Sequence, residues 1–383
     1  MRTTLRPAAN WLVTFLLPLI AMSSGPHRPV SQAEQVDALF APYANTPGAA
    51  VAVVRDGKVL FMKGYGLADV AAKTPITPDT VFDLASDSKA FTAAAVLLTA
   101  QDEKLELDSP LSTVFPDFQG DAKAITIRQL LNHTSGLDDY LQVLAENGRV
   151  ARISMLPSST KPRADEPTAA EVVQLLAKEK SLEFTPGSCF EYSNSGYVVL
   201  GQVVEKVSGR RLSEFLGERI FKKLGMSHTV LVDERRQEVP GRAHSYGSKS
   251  DTVDIDYTPV NRIYGDGNVN STVRDMAAWL NSFGDRPILD PALQKLAWTP
   301  GILNDGTQTD YGCGWVIGAF RGEPSVGHEG AWVGFQSSVL YLPAKRFGVV
   351  VLSNLEELPI EDLSDSVADI FLSSDTPGGA DRP

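Results

Sequence analysis

The chain of 383 residues holds only two cysteines, Cys189 and Cys313. They lie too far apart in sequence for a bridge to be read without geometry, and two free, partly buried thiols is the simpler expectation. Neither stands in a metal-ligand spacing. The five histidines, His27, His133, His228, His244 and His328, are scattered, and no His-Glu-x-x-His occurs. No metal site and no cofactor is expected. No long basic run is present and the formal net charge is -12, so no nucleic-acid partner is expected and the acidity speaks for solubility. There is no Gly-x-Ser-x-Gly, which argues against an α/β-hydrolase elbow. No internal repeat is visible. Beyond Met22 no apolar run approaches the ~20 residues that a membrane span needs.

What is present begins with a targeting pattern. Arg2 and Arg6 precede an apolar stretch from Trp11 to Met22, and small residues follow at Ala21, Ser23 and Ser24. This order reads as a secretory signal peptide over residues 1–25, and so as a secreted or periplasmic protein. The alternative is an uncleaved signal anchor; no cysteine near the cleavage region supports a lipid anchor. The whole chain is 43% hydrophobic and 21% charged, an ordinary globular balance with length for one large domain or two lobes.

"SQAEQVDALFAPYA" predicts an amphipathic helix, and "GAAVAVVRDGKVLFMKGYGLAD" two strands around the hairpin signal Asp56-Gly57. A helix runs from Ser86 to about Gln101. Four more follow: "TIRQLLNHTSGL" closing at Gly136, "TAAEVVQLLAKEK", "SGYVVLGQVVEKVSG" ending on Gly209, and "LSEFLGERIFKKLG" ending on Gly225. The Pro- and Ser-rich stretch within 144–170 reads as a loop bordering a cleft. "YGCGWVIGAF", "FQSSVLYLP" and "FGVVVLSN" read as consecutive antiparallel strands, then "LPIEDLSDSVADIFL" as a helix, with a disordered tail at 374–383. Strands thus lie at both ends and helices between them. The expected fold is α/β (α+β): an antiparallel sheet flanked by helices, built from both chain ends (about 31–85 and 270–373), with an inserted, mainly helical lobe (about 86–269). A cleft between such lobes is a natural place for chemistry.

Three clusters carry the chemistry. Ser86 could cap its helix, but a capping box wants Glu or Gln three residues on, and Lys89 stands there instead, against the helix dipole. Residues three apart share a helix face. A lysine partly desolvated beside a serine loses preference for its charge and can take the hydroxyl proton. The spacing alone is cheap. It recurs at Ser158–Lys161, between Pro157 and Pro162, where no regular helix can align the pair. Asp87 suits the dipole of the first turn and would partly offset Lys89. Tyr192 and Asn194 precede a helix. A tyrosine near a lysine can have its phenol pKa lowered and act as general base, while Asn194 can hold both the lysine and a substrate amide. The alternatives are a buried tyrosine and an asparagine cap, and Tyr43-Ala-Asn45 repeats the triplet. His328-Glu-Gly330 leads into a strand. His328 could offer substrate a proton or a hydrogen bond, or be a surface turn residue, and Gly330 would let backbone approach a ligand.

In this order the motifs resemble those of the serine β-lactamase and penicillin-binding-protein superfamily, with the class C β-lactamase-related hydrolases the most similar branch. "LLNHTSGL" (130–137), "PGSCFEYSNSGYVVLGQVVEKVSG" (186–209), "GDGNVNSTVRDMAAWL" (265–280) and "VLYLPAKRFGVVVLSN" (339–354) extend the resemblance over about residues 31–373. It implies Ser86 as acylated nucleophile, Lys89 as its proton partner and Tyr192 as general base and acid. Asn194, His328 and Gly330 would contact substrate, and the N–H groups of Ser86 and Ala331 would form an oxyanion hole. His328 stands where class C enzymes carry lysine, and Glu329 adds negative charge beside it. Both departures favour neutral esters or amides over β-lactams. The implied partner is a small-molecule or peptide substrate. The implied function is acyl-enzyme hydrolysis of an amide or ester, by a peptidase or β-lactamase-like enzyme or by a carboxylesterase. A non-catalytic penicillin-recognising protein on the same fold is the remaining reading.

Overall fold

The Asp56-Gly57 pair turns the chain as its sequence requires. Both residues have positive φ, 49° and 75°, the two-residue turn that matches the twist of paired strands. It joins β1 (Ala49–Arg55) to β2 (Lys58–Tyr65). The computed structural model describes residues 30–150, 166–179, 181–234, 237–255 and 258–373. The signal stretch 1–25, the second Ser-x-x-Lys at 158–161, part of the loop 144–170 and the tail 374–383 lie outside the described residues.

Short strands follow: β3 (Leu67–Asp69), β4 (Thr74–Pro75), β5 (Phe82–Asp83), β6 (Val230–Leu231) and β7 (Val269–Ser271). The C-terminal part supplies β8 (Val316–Phe320), β9 (Glu323–Trp332), β10 (Phe335–Leu342) and β11 (Phe347–Ser353). Six strands form one antiparallel sheet in the order β2-β1-β11-β10-β9-β8, so β11 joins the two chain ends, with Ala49 opposite Ser353 and Arg55 opposite Phe347. The expected two-ended sheet is present. β5 pairs with β7, Phe82 opposite Ser271 and Asp83 opposite Asn270, so segments almost 190 residues apart are hydrogen-bonded neighbours.

Alternation along the central strands sorts side chains to two cores. Ala50, Ala52, Val54, Val350 and Leu352 belong to the larger core; Ala49, Val51, Val53, Val349 and Val351 belong to the smaller. The smaller core is covered by α1 (Gln32–Phe40), started by a Ser31–Glu34 capping box, and by the C-terminal helix Ile360–Leu372. The larger core is filled by the helix Val273–Asp285 and by the inserted helices. Those are α2 (Ser88–Gln101), α3 (Ile127–Leu131), α4 (Tyr140–Glu146), α5 (Ala169–Leu176) and α6 (Asn194–Ser208). α2 is buried from Ser88 through Thr99, as expected of a helix that is apolar all round. α6 begins on the Ser193 cap and ends on Gly209, φ 72°.

Three expectations need correction. The helix expected to close at Gly136 ends at Leu131; His133 adopts φ 59° and the chain leaves as a loop. The late strands are not consecutive, because β9 runs between β8 and β10. Its sequence, "EPSVGHEGAW", is poor in β-formers, and pairing on both sides supplies what propensity does not. Cys189 and Cys313 are both free, but Cys189 is exposed whereas Cys313 is buried. Among the described residues no helix is long and apolar enough to cross a membrane.

Candidate active site

The turn between β5 and α2 is fixed from behind. Leu84 N donates to Val269 O at 2.8 Å, and Ala85 N to Asp83 Oδ1 at 2.8 Å. Ala85 takes φ 46°, a conformation costly for a residue with a Cβ, on the order of 1–3 kcal/mol, and held by its surroundings. One tight helical turn, Ala85–Asp87, then leads into α2. Ser86 lies in that turn and is not a helix cap. Asp87 occupies the cap position without making a cap bond. Asp87 is itself buried, and burial pushes its carboxyl well above the usual range, with Ser337 bonding to it and opposing the shift. Attraction of a carboxylate to the helix dipole therefore does not account for it.

Lys89 is 0% exposed. Its Nζ donates to Ser86 Oγ at 3.0 Å and to the backbone oxygen of Asp266 at 2.9 Å. Burial lowers its pKa to about 8, with Asp266 and Asp87 opposing the shift. Among the described residues its hydrogen-bond partners do not include Asn194, so the expected lysine–asparagine contact is replaced by the Asp266 carbonyl.

Tyr192 lies over this amine, with Nζ 4.9 Å from the ring centroid. The ring is 41% exposed, while its hydroxyl reaches the Ser86 hydroxyl. The expected lowering of the phenol pKa is reversed. Burial raises it, the bond to Ser86 opposes that, and the carboxyls of Asp266 and Asp87 raise it further. Tyr192 is therefore a neutral phenol at neutral pH. It is held by a residue to which the sequence analysis gave no role: His133 Nδ1 accepts from Ser193 N at 3.1 Å, and its ring lies 4.3 Å from that of Tyr192. The signal available was its place in "LLNHTSGL".

His328 is buried in β9, not in a surface turn. Nδ1 faces the Glu329 carbonyl at 2.6 Å and must carry the proton, since a carbonyl only accepts. Nε2 then accepts from Tyr311 Oη at 2.8 Å. Burial and the nearby Lys89 lower the pKa to about 3. His328 is therefore neutral, with both nitrogens engaged by the protein, and is not the free donor to substrate that was expected. Glu329, on the other face of the strand, is bonded to Glu361 and raised to about 8, mainly by burial. Gly330 admits close approach, but to the protein's own backbone. A Cβ there would meet Leu84 O, come within 2.5 Å of Ser337 Oγ and 2.8 Å of Ser86 N.

A cavity of about 170 Å³ opens at Ser86. Ala331 and Trp332 of β9 line one side; Asn194, Tyr140 and Asp266 line another. Asn194 and Ala331 thus face the space beside Ser86. Asp266 and Tyr140 were not foreseen. Tyr140 hydrogen-bonds the Asp266 carboxyl, and burial raises that carboxyl to about 6 against the pull of Lys89. Tyr192 belongs to a separate small recess with Asp139, Glu183 and Glu191. Among the described residues no cluster of His, Cys, Asp and Glu could hold a metal ion.

This arrangement of serine, lysine and tyrosine beside β9 defines a class of acyl-enzyme hydrolases, and comparison with known proteins agrees. A β-lactamase family model matches residues 36–370, and the chain belongs to that family. It is 29% identical over 324 residues to a penicillin-binding protein of Bacillus subtilis strain 168, covering 80% of this chain and 68% of that one. It is 32% identical over 316 residues to a D-aminopeptidase of Brucella ovis, covering 81% of this chain but only 57% of the relative. The solved D-amino acid amidase of Ochrobactrum anthropi SV3 superposes with TM-score 0.74 at 24% identity, over 90% of this chain and 100% of that one, a likeness of fold.

Two outcomes follow from this geometry. Labelling of Ser86 by a neutral fluorophosphonate, followed by mass spectrometry, is expected to climb through about pH 8 as Lys89 loses its proton, and to level above it. Lys89→Met is expected to slow it by ~10²–10⁴-fold. Gly330→Ala is expected to lose about 1–3 kcal/mol in chemical denaturation, and to lose labelling with it, because the new Cβ displaces the nucleophile's turn.

Proposed function

We propose that the protein hydrolyses an amide or ester through an acyl-enzyme on Ser86. The observation that supports this most is the dry Lys89 amine, 3.0 Å from the Ser86 hydroxyl and lowered to about 8. In its neutral form Lys89 accepts the Ser86 proton while Oγ bonds to the substrate carbonyl carbon. The resulting oxyanion meets the N–H groups of Ser86 and Ala331, worth ~3–4 kcal/mol per donor because the charge exists only in that state. Tyr192 passes a proton to the leaving group as its bond to carbon breaks. Water then attacks the acyl carbon and gives its proton to Tyr192, and the proton held on Lys89 returns to Ser86 Oγ as the acid leaves.

Charge around the site bears on substrate. Tyr192, the proton donor proposed for the leaving group, shares a recess with Asp139, Glu183 and Glu191, and His328 offers no positive charge. A leaving group bearing a carboxylate, as in a β-lactam or a C-terminal peptide, meets repulsion there. Neutral amides and esters fit, which favours an amidase or aminopeptidase reading, with carboxylesterase second and class C-related ancestry part of the same reading. We further propose export to the periplasm or the exterior, supported by the order of residues 1–25.

A panel on purified protein and Ser86→Ala separates these readings: amino-acid amides, short-chain p-nitrophenyl esters, a chromogenic cephalosporin and D-alanyl-D-alanine peptides. Turnover is expected for amides and esters, at least ~10³-fold lower in Ser86→Ala, with little for the two carboxylate classes. Equal rates in the variant would remove Ser86 as nucleophile; a stable adduct without turnover would favour a binding protein.

A further inference from the structure

In the proposed reaction Lys89 takes the Ser86 proton on acylation and returns it only when the acid leaves, so the amine is an ammonium for the life of the acyl-enzyme. A dry ammonium needs a counter-charge within reach. Two carboxyls act on Lys89, those of Asp266 and Asp87. Asp87 is buried, its Oδ2 has no hydrogen-bond partner among the described residues, and burial holds it as the neutral acid. His133 and His328 are likewise held neutral by burial, and Tyr192 is a neutral phenol. Asp266 differs. It lines the cavity at Ser86 together with Tyr140, whose hydroxyl bonds to its carboxyl. Its backbone oxygen, not its carboxyl, receives the Lys89 amine at 2.9 Å, so the carboxyl acts on the amine through space. The loop that carries it is fixed. Gly265 has φ 108°, and a Cβ there would come within 2.4 Å of Tyr197 O in α6. Asn268 Nδ2 donates to Asn261 O at 2.8 Å and Ile263 O at 3.0 Å. Val269 N donates to Ser88 Oγ at 3.0 Å, which locks this loop to the first turn of α2.

We propose that Asp266 is the counter-charge to the Lys89 ammonium, a positioning residue that acts through the lysine and stabilises the proton it holds from acylation until the acid leaves. No proton passes to Asp266. The Oγ proton moves to Nζ and returns, and the carboxylate lowers the energy of the state in which Nζ holds it. Tyr140 donates to the carboxyl and favours its ionised form. Burial raises that carboxyl to about 6 against the pull of Lys89, which leaves it ionised at neutral pH. The charged or titratable groups that face it are Lys89 from α2, Asp139 and Tyr140 from the segment opening α4, and Tyr192 ahead of α6. An ionised Asp266 raises the Lys89 pKa, which leaves less free amine at neutral pH but makes that amine a stronger base. The assignment rests on the serine-hydrolase reading and adds a third member to its Ser86–Lys89 pair.

The rate of fluorophosphonate labelling at Ser86, followed across pH on the unmodified protein and on Asp266→Asn, tests this. In the unmodified protein the midpoint is expected near pH 8. Asp266→Asn removes the charge, so the midpoint is expected to fall by about one unit or more. The plateau above it should fall about three- to tenfold, as the amine becomes a weaker base. Below about pH 6, where Asp266 itself takes a proton, the two profiles should converge. Tyr140→Phe keeps the charge but removes the bond to it. Its upper midpoint should stay near pH 8 while the lower inflection rises above about 6. Melting curves report that each variant is folded. An unchanged midpoint in Asp266→Asn, with or without a lower plateau, overturns the assignment, because a merely structural role lowers the rate at every pH alike. Should Asp266→Asn not fold, Tyr140→Phe carries the test, and a lower inflection that stays at about 6 overturns it. Absence of labelling in the unmodified protein is instead a failure of the hydrolase reading.

Discussion

Everything at this site depends on keeping one amine dry. A lysine ammonium in water has no reason to release its proton to serve a serine. Lys89 has lost that solvation, and two oxygens stand in its place, Ser86 Oγ and the Asp266 carbonyl. The surrounding structure maintains the exclusion. α2 is apolar on every side, so its first turn can be sunk into the larger core. Ala85 accepts a strained backbone to aim Ser86 outward while Lys89 remains inside. Gly330 lets β9 pass against the turn without displacing it. The Tyr192 ring closes the remaining side.

The second theme is where charge lies around the nucleophile. A histidine near a catalytic serine suggests a titrating group, yet His328 is held neutral by a carbonyl on one nitrogen and a tyrosine hydroxyl on the other. Its place in the structure is to order β9 and Tyr311. Charge is carried instead by carboxyls in two different settings: Asp139, Glu183 and Glu191 share a recess with Tyr192, and Asp266 lines the cavity at Ser86 and is tied to Tyr140.

Which parts of this were legible in the sequence follows from what each depends on. Local chemistry was readable: the Asp56-Gly57 turn, the left-handed helix ends at Gly209 and Gly225, and the helical Ser86–Lys89 pair. The two-ended sheet was readable because its strands are rich in valine. β9 was not, because Pro324, Gly327 and Gly330 break the propensity signal although Val326, His328 and Gly330 alternate inward as a strand requires. The ionisation of Tyr192 and His328 was misjudged because burial is a tertiary property that neighbouring residues in sequence do not report. Asp266, between two glycines, drew no role from the sequence; its setting depends on Tyr140, 126 positions earlier in the chain.

The sheet order has a consequence in time as well as in space. β1 pairs at once with β2, but its other neighbour, β11, comes almost 300 residues on, and the wall that carries Gly330 and Ala331 is built from the same late segment. A growing chain that has already produced Ser86 and Lys89 has no wall behind its nucleophile and no sheet on which to fix it. Such distant pairing makes assembly slow relative to helix formation. Reactivity at Ser86 is thereby withheld until the final strand is in place, so that a half-made chain carries the serine without the means to use it.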